Sequence, residues 1–282
     1  VDLRPIARGD VAAVAHFLHD NLNHRITPAT WASAITPTWQ RDSPNHGFML
    51  VCGGQIVGVY LAFYSQSCIE GRIEKICNMA AWCVLEEFRS HGLRLVKAIL
   101  GQDGYNFTDL SPSGNVVQLN VRLKFQFLDT GTAVVANLPW PGWSGTRVVS
   151  DRESIEAILQ GRDLEIYKDH AGVPAANHLV VLKGGQVCYV MFRRDRRKGL
   201  PFFASILHVS NHDLFRVAAR HVYSHLLTHF GILATLAETR VVRYCPRLSF
   251  MLRSPRPKMF RSDRLQPEEI GYLYSELACV PW

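Results

Sequence analysis

The stretch Ala80-Ala-Trp-Cys-Val-Leu-Glu-Glu-Phe-Arg-Ser-His-Gly-Leu-Arg-Leu-Val-Lys-Ala-Ile-Leu100 decides the fold. It reads as an apolar strand, a short turn carrying Arg89 and Gly92, and an amphipathic helix. A strand that passes through a basic, glycine-containing turn into a helix N-terminus makes a pocket for phosphate. The N–H groups of the first helical turn have no intrahelical acceptor, and the helix dipole favours an anion there. Gly92 lets the backbone approach such a ligand without a Cβ in the way.

Strand and helix signals alternate on either side of this stretch. Leu3–Ile6 reads as a short strand, and Asp10 is placed to cap a helix over Val11–Leu22. Thr27-Pro-Ala-Thr-Trp31 opens a second helix, with Pro28 in the tolerated first turn. Phe48–Cys52 and Gln55–Phe63 form a hairpin around Gly53-Gly54, a favoured pair for a tight turn. The strand then spans Ile76–Val84 and the helix Leu93–Leu100, followed by a strand over Tyr105–Leu110. Ser111-Pro-Ser-Gly-Asn115 starts a helix that runs to Lys124.

The second half repeats part of this order. Leu179–Lys183 and Gln186–Phe192 flank Gly184-Gly185, so that Gly184-Gly185-Gln186-Val187 echoes Gly53-Gly54-Gln55-Ile56. A strand over Phe202–Val209 and a helix over Asp213–Phe230 follow, and the shared order predicts a duplication. The second turn, Ser210-Asn-His-Asp213, has no glycine, so its phosphate site is read as lost. The Pro/Gly-rich segment 137–150 reads as a linker between a domain over 1–136 and one over 151–282 that ends in a basic tail. Trp140 and Trp143 in that segment are expected to pack between the domains.

With 48% hydrophobic and 20% charged residues in 282, the chain is of the soluble globular kind. No run reaches the ~20 apolar residues that span a bilayer. Its seven cysteines form no C-x-x-C pair and no even framework, which points to a cytoplasmic location. The net charge of +7 concentrates at Arg193–Lys198 and in the series from Arg240 to Arg264. Without a nucleic-acid module beside them, these patches fit a solvated surface or anionic metabolites better than nucleic acid.

From Leu3 to Asp129 the chain resembles the GNAT superfamily of acyl-CoA-dependent N-acyltransferases. The family's pyrophosphate loop, Q/R-x-x-G-x-G/A after a strand ending in valine, stands here as Arg89-Ser90-His91-Gly92-Leu93-Arg94 after Trp82-Cys83-Val84. Arg94 replaces a small residue. Asn115 and Phe127 keep the spacing of the family's downstream Asn and G-F, while Arg122 stands where a tyrosine often acts as general acid and Gln126 where glycine is usual.

The resemblance implies two parallel strands that splay to admit the pantetheine arm. Backbone N–H groups near Trp82 and Val84 would then hold it and polarise the thioester carbonyl. It implies an acyl donor, acetyl-CoA or another acyl-CoA, and direct attack by an amine without a metal. Arg89 to Arg94 and Asn115 would bind the donor. The strand position that often carries a carboxylate is Asn78, an amide that can orient a water but not take a proton. Glu74 and Ser111 are the remaining candidates for proton transfer, near a thioester that the resemblance places past Asp109 and Ser111.

His221, His225 and His229 recur every four residues on one helix, a spacing that can hold zinc. No carboxylate stands between them, and they are read as a polar helix stripe. Strand alternation puts Cys83 on the face opposite Trp82 and Val84, as buried filler and not as a nucleophile. The sum is an α/β protein with mixed sheets, two GNAT-like domains in tandem, the first binding acyl-CoA and the second degenerate. The expected activity is transfer of an acyl group to a small-molecule amine, with no membrane or nucleic-acid partner; homo-oligomers are compatible with it. The other reading is a non-catalytic acyl-CoA sensor or scaffold, which Arg122 and Asn78 favour.

Overall fold

The computed structural model describes residues 1–40, 43–141, 145–197 and 199–282. Contacts divide the chain into two compact units. One holds Val1–Leu128 and Pro257–Val280, the other Asp129–Arg256 and Pro281–Trp282.

The first unit opens with β1 (Asp2–Pro5), α1 (Val11–Asn21) and α2 (Pro28–Ile35), then β2 (Gly47–Cys52), β3 (Gln55–Ile69) and β4 (Arg72–Val84). It continues through α3 (Gly92–Leu100), β5 (Tyr105–Asp109), α4 (Asn115–Arg122) and β6 (Gln126–Phe127). Thr27 caps α2 by accepting from the Thr30 N–H, with Pro28 behind it. Asp10 does not cap α1: its carboxylate is held by both guanidinium nitrogens of Arg4, each at 2.8 Å, and by the Ala7 N–H. Gly53 and Gly54 both take positive φ, +56° and +80°, the backbone that a two-residue hairpin turn needs to match strand twist. The β3–β4 ladder runs on to Ile69 and Arg72, well past the expected strand ends, because Glu70-Gly71 supplies a second positive-φ turn. Leu95, Val96 and Ile99 form the buried stripe of α3 against Tyr60, Ala62 and Met79.

The second unit contains β7 (Thr132–Ala136), β8 (Arg147–Val149), α5 (Arg152–Ile158), α6 (Gly161–His170), β9 (Asn177–Lys183) and β10 (Gln186–Arg197). After these come β11 (Leu200–Val209), α7 (His212–Phe230), β12 (Ala234–Glu238), α8 (Thr239–Val242) and β13 (Ser249–Met251). The sheet order is β13-β7-β12-β11-β10-β9-β8, with β11 and β12 parallel. The Gly184-Gly185 turn has φ of +55° and +77°, repeating the first hairpin. A hairpin, a bulged strand, a helix and a parallel strand thus recur in the same order in both units.

The chain then returns to the first unit with β14 (Met259–Arg261) and α9 (Glu276–Cys279). The first sheet reads β1-β2-β3-β4-β5-β14-β6, and its β4–β5 pair is parallel. β14 fits because Met259 and Phe260 are buried apolar residues that pair with Asp109 and Thr108 of β5. The expected boundaries are therefore displaced. Thr132–Ala136 is a strand of the second sheet, paired with β12 and β13, and segment 137–150 belongs to the same unit. Asn137 is buried there, bonded to the Ile232 carbonyl and the Thr235 hydroxyl. Trp140 lies under the Arg220 guanidinium at 4.5 Å within the second unit, and Trp143 falls outside the described residues. Nor is 257–280 a solvated tail, since most of its apolar side chains, and Glu276, are buried in the first unit.

Candidate active site

The parallel ladder between β4 and β5 runs from Lys75–Tyr105 to Asn78–Thr108 and stops. β4 continues to Val84, and over those last residues it has no β5 partner. A bulge sits in this free part: Val59 faces Cys83, but Leu61 faces Ala80, so β4 carries one extra residue. Ala81 takes it up with φ +53°, a left-handed conformation that a non-glycine residue adopts only when its surroundings impose it.

The bulge resets the alternation. Cys77 and Met79 face the α3 core, and after the extra residue Trp82 and Val84 face it too. Trp82 stacks on Tyr60 with ring centroids 5.2 Å apart, and its buried Nε1 has no hydrogen-bond partner among the described residues. Cys83 falls on the other face, buried, its thiol pushed up to about 11 by burial and directed at the Asn21 carbonyl. That geometry is of a filler, not of a thiolate.

Beyond Val84 a 3₁₀ turn, Glu86–His91, runs straight into α3, and Gly92 is the first α-helical residue with φ −57°. A Cβ on Gly92 would meet the Trp82 ring at 3.2 Å and Val84 at 3.6 Å. The constraint on Gly92 that the structure reveals is this close packing of the helix start on the strand. Arg89 is 70% exposed and touches Glu86 at 3.3 Å, a surface pair worth at most ~1 kcal/mol, so its guanidinium can be recruited by an anion. Ser90 is exposed beside it, and so is Leu93; His91 is half-buried. Arg94 donates to the Val1 carbonyl at 2.8 Å. Asn115 is exposed at the first position of α4, and Arg122 is exposed at the last.

Where β4 and β5 part, a buried polar cluster sits on the strand ends. Asn78 donates from Nδ2 to the Thr108 hydroxyl at 3.0 Å and accepts on Oδ1 from the Glu276 N–H at 2.9 Å. Ser111 donates from its hydroxyl to Oε1 of Glu276 at 2.8 Å. The Glu276 side chain is fully buried, and its Oε2 has no hydrogen-bond partner among the described residues. Burial, with Asp109 nearby, lifts its carboxyl to about 7. Asp109 is lifted to about 6 by burial, opposed by hydrogen bonds from Asn120 Nδ2 (2.8 Å) and the Ser111 N–H.

Of the three catalytic candidates in the sequence, Asn78 and Ser111 are brought together on Glu276 and Glu74 is not. Glu74 lies four residues further back along β4, about 13 Å at strand rise. There its buried carboxylate is held by Arg264 at 3.2 Å and Asn106 at 3.0 Å. That ion pair fixes Glu74 as an anchor of the returning segment. Glu276 was missed. Its one signal in the sequence is a lone carboxylate between Tyr272-Leu-Tyr-Ser275 and Leu277-Ala-Cys-Val280, an apolar setting that predicts burial.

The second unit has its own version of the fork. β11 pairs with β12 only at Phe203–Ser205, a bulge lies between Met191 and Phe192 in the β10–β11 register, and α7 starts beyond Val209. Here the Asn211 side chain caps the helix by accepting from the Leu214 N–H. A cavity of about 560 Å³ adjoins it, with Arg216 and Arg243 in its wall but Asp163 and Asp213 as well. On α7, His225 bonds the Ser150 hydroxyl at 2.9 Å and stacks on His229 at 3.8 Å. No group of three metal-ligating side chains occurs among the described residues, and no described helix is long and apolar enough to cross a membrane.

No protein-family model and no curated protein matches the sequence. Solved structures do. A GCN5-related N-acetyltransferase from Anabaena variabilis superposes with a TM-score of 0.57 at 11% identity, over 92% of this chain and 72% of that one. A probable N-acyltransferase of Enterococcus faecalis gives 0.59 at 12% identity, over 95% and 73%. N-myristoyltransferase of Saccharomyces cerevisiae, solved with bound myristoyl-CoA, gives 0.51 at 11% identity, over 99% and 84%. The fold is thus that of the GCN5-related N-acetyltransferases, the GNAT fold, in two tandem units. At these identities the likeness is one of architecture.

Proposed function

We propose that the first unit binds an acyl-CoA and transfers its acyl group to an amine of a small-molecule acceptor by direct attack on the thioester. One observation carries this reading: the β4–β5 fork with the bulge at Ala81, which leaves peptide groups of β4 free at the strand end. Buried backbone groups demand partners, and an extended arm laid in the fork pairs with them as an added strand would. The backbone near Trp82 and Val84 then supplies donors to the oxygen of the thioester, worth about 3 kcal/mol each when charge develops there. The exposed Arg89 and Ser90 beside the start of α3 supply the anion site for the pyrophosphate, and Asn115 adds a polar contact. Arg94 joins only by leaving the Val1 carbonyl, and the Gly92 N–H is already bonded to the Arg89 carbonyl. The orphaned Nε1 of Trp82 in this region is consistent with a ligand that brings an acceptor.

Titration calorimetry with CoA and thiol release from acetyl-CoA over a panel of amines test the reading. Saturable binding weakened by Arg89→Ala, with thiol release on at least one amine, is the expected result; no affinity for CoA sinks it. The sensor reading is favoured by Asn78, an amide locked between Thr108 and Glu276, and by the exposed Arg122 at the place of the family's tyrosine. Binding without turnover on any amine would decide for it.

A further inference from the structure

We infer that Glu276, brought into the first unit by the returning C-terminal segment, is the general base that takes the proton of the acceptor amine. The inference rests on the acyl-transfer reading above. Its ground is position. The Glu276 N–H is tied to Asn78, the last paired residue of β4 before the fork, and its Oε1 to Ser111, just past the end of β5. One residue, through its backbone N–H and its carboxylate, therefore ties the two strands together where they separate.

Its chemistry fits the place. A fully buried carboxylate oxygen without a donor costs several kcal/mol, unless a ligand brings one. Oε2 is such an oxygen, and an amine N–H is such a donor. The other buried carboxylates nearby are engaged, Asp109 by Asn120 and the Ser111 N–H, Glu74 by Arg264 and Asn106. Asn78 thus marks no missing base. The amide stands in the strand, and its Oδ1 accepts from the backbone N–H of the residue, 198 positions away, that brings the carboxylate.

The step balances within donor and acceptor. Nitrogen bonds to the thioester carbon, the carbon–sulfur bond breaks with its electron pair going to sulfur, and the nitrogen's proton passes to Oε2. From there it protonates the leaving thiolate. The titratable groups facing Glu276 are Asp109 on β5, Tyr60 on β3 and Cys279 on its own helix. Tyr60 and Cys279 are both held neutral by burial, so Asp109 is the one that modulates the base.

The test compares wild type, Glu276→Gln and Ser111→Ala in CoA affinity and in the pH profile of thiol release with the best amine of the panel. Expected are unchanged CoA affinity for Glu276→Gln, a loss of kcat of ~10²-fold or more, and disappearance of an ascending limb that wild type shows near pH 7. Ser111→Ala removes a hydrogen bond to the charged form, so its limb moves to higher pH, a shift that a purely structural serine would not produce. A Gln variant that keeps kcat and the limb overturns the inference and leaves the donor site standing. A wild type that binds no CoA overturns both.

Discussion

At the scale of single residues, Glu276 is the feature whose ionisation the fold disturbs in the most testable way. Burial raises its carboxyl from 4.5 to about 7. A group with a raised folded pKa contributes stability that is complete below its unfolded value and lost as pH rises through the folded one. Glu276→Gln removes that dependence. Between pH 4.5 and 8 the variant is expected to gain stability relative to wild type by on the order of 3 kcal/mol. Urea unfolding at the two pH values measures it, and a difference that does not change with pH counts against a buried ionisable group at 276. Glu74 shows why such a residue escapes sequence reading. Alternation gives the face of a strand that a side chain occupies, and Glu74 does share a face with Asn78. It does not give depth along the strand, and that places Glu74 in the paired region beside Arg264.

Among the elements, the bulged end of β4 and the inserted strand β14 carry the most consequence. Ala81 holds a left-handed φ that costs an L-residue about 1–2 kcal/mol, and a β-branched side chain makes it worse. Ala81→Val is therefore expected to lower the thermal midpoint and weaken CoA binding together. Loss of stability with full affinity would separate the bulge from the ligand. Phe260, at 1% exposure, pairs with Thr108 on β5 and, across the strand, with Gln126 on the edge strand β6. Phe260→Ala is expected to cost about 3–5 kcal/mol by chemical denaturation; a cost below ~1 kcal/mol would mean that β14 is peripheral. The hairpins, β4, α3 and α7 are legible in the sequence because their signals are local: a Gly-Gly turn, a period of two, a period of 3.6. The pairings of β7 and β14 are not. Each is a short apolar run of three to five residues whose partner lies far away in the chain, and nothing local assigns it to one sheet or the other. The domain boundary, at Leu128 and again at Pro257, escapes a local reading for the same reason.

Over the whole molecule, the groups most strongly shifted by burial are expected to make the two units respond to acid in opposite directions. In the second, burial pulls His178 and His208 down to about 4. A base with a lowered folded pKa loses its contribution to stability as pH falls from its ordinary value through the folded one. In the first, Glu276 and Asp109 gain it over the same fall. Hydrogen exchange corrected for intrinsic rates is expected to show protection declining in β9–β11 and rising in β3–β5 between pH 7 and 5. Parallel changes in both units would contradict this.

Two units of one fold also offer two forks, of which the first is the proposed donor site. Hydrogen–deuterium exchange with and without acetyl-CoA decides the matter. Slowed exchange over residues 79–94, with 206–216 unchanged, is the expected result. No protection over 79–94, or protection confined to 206–216, would contradict the assignment.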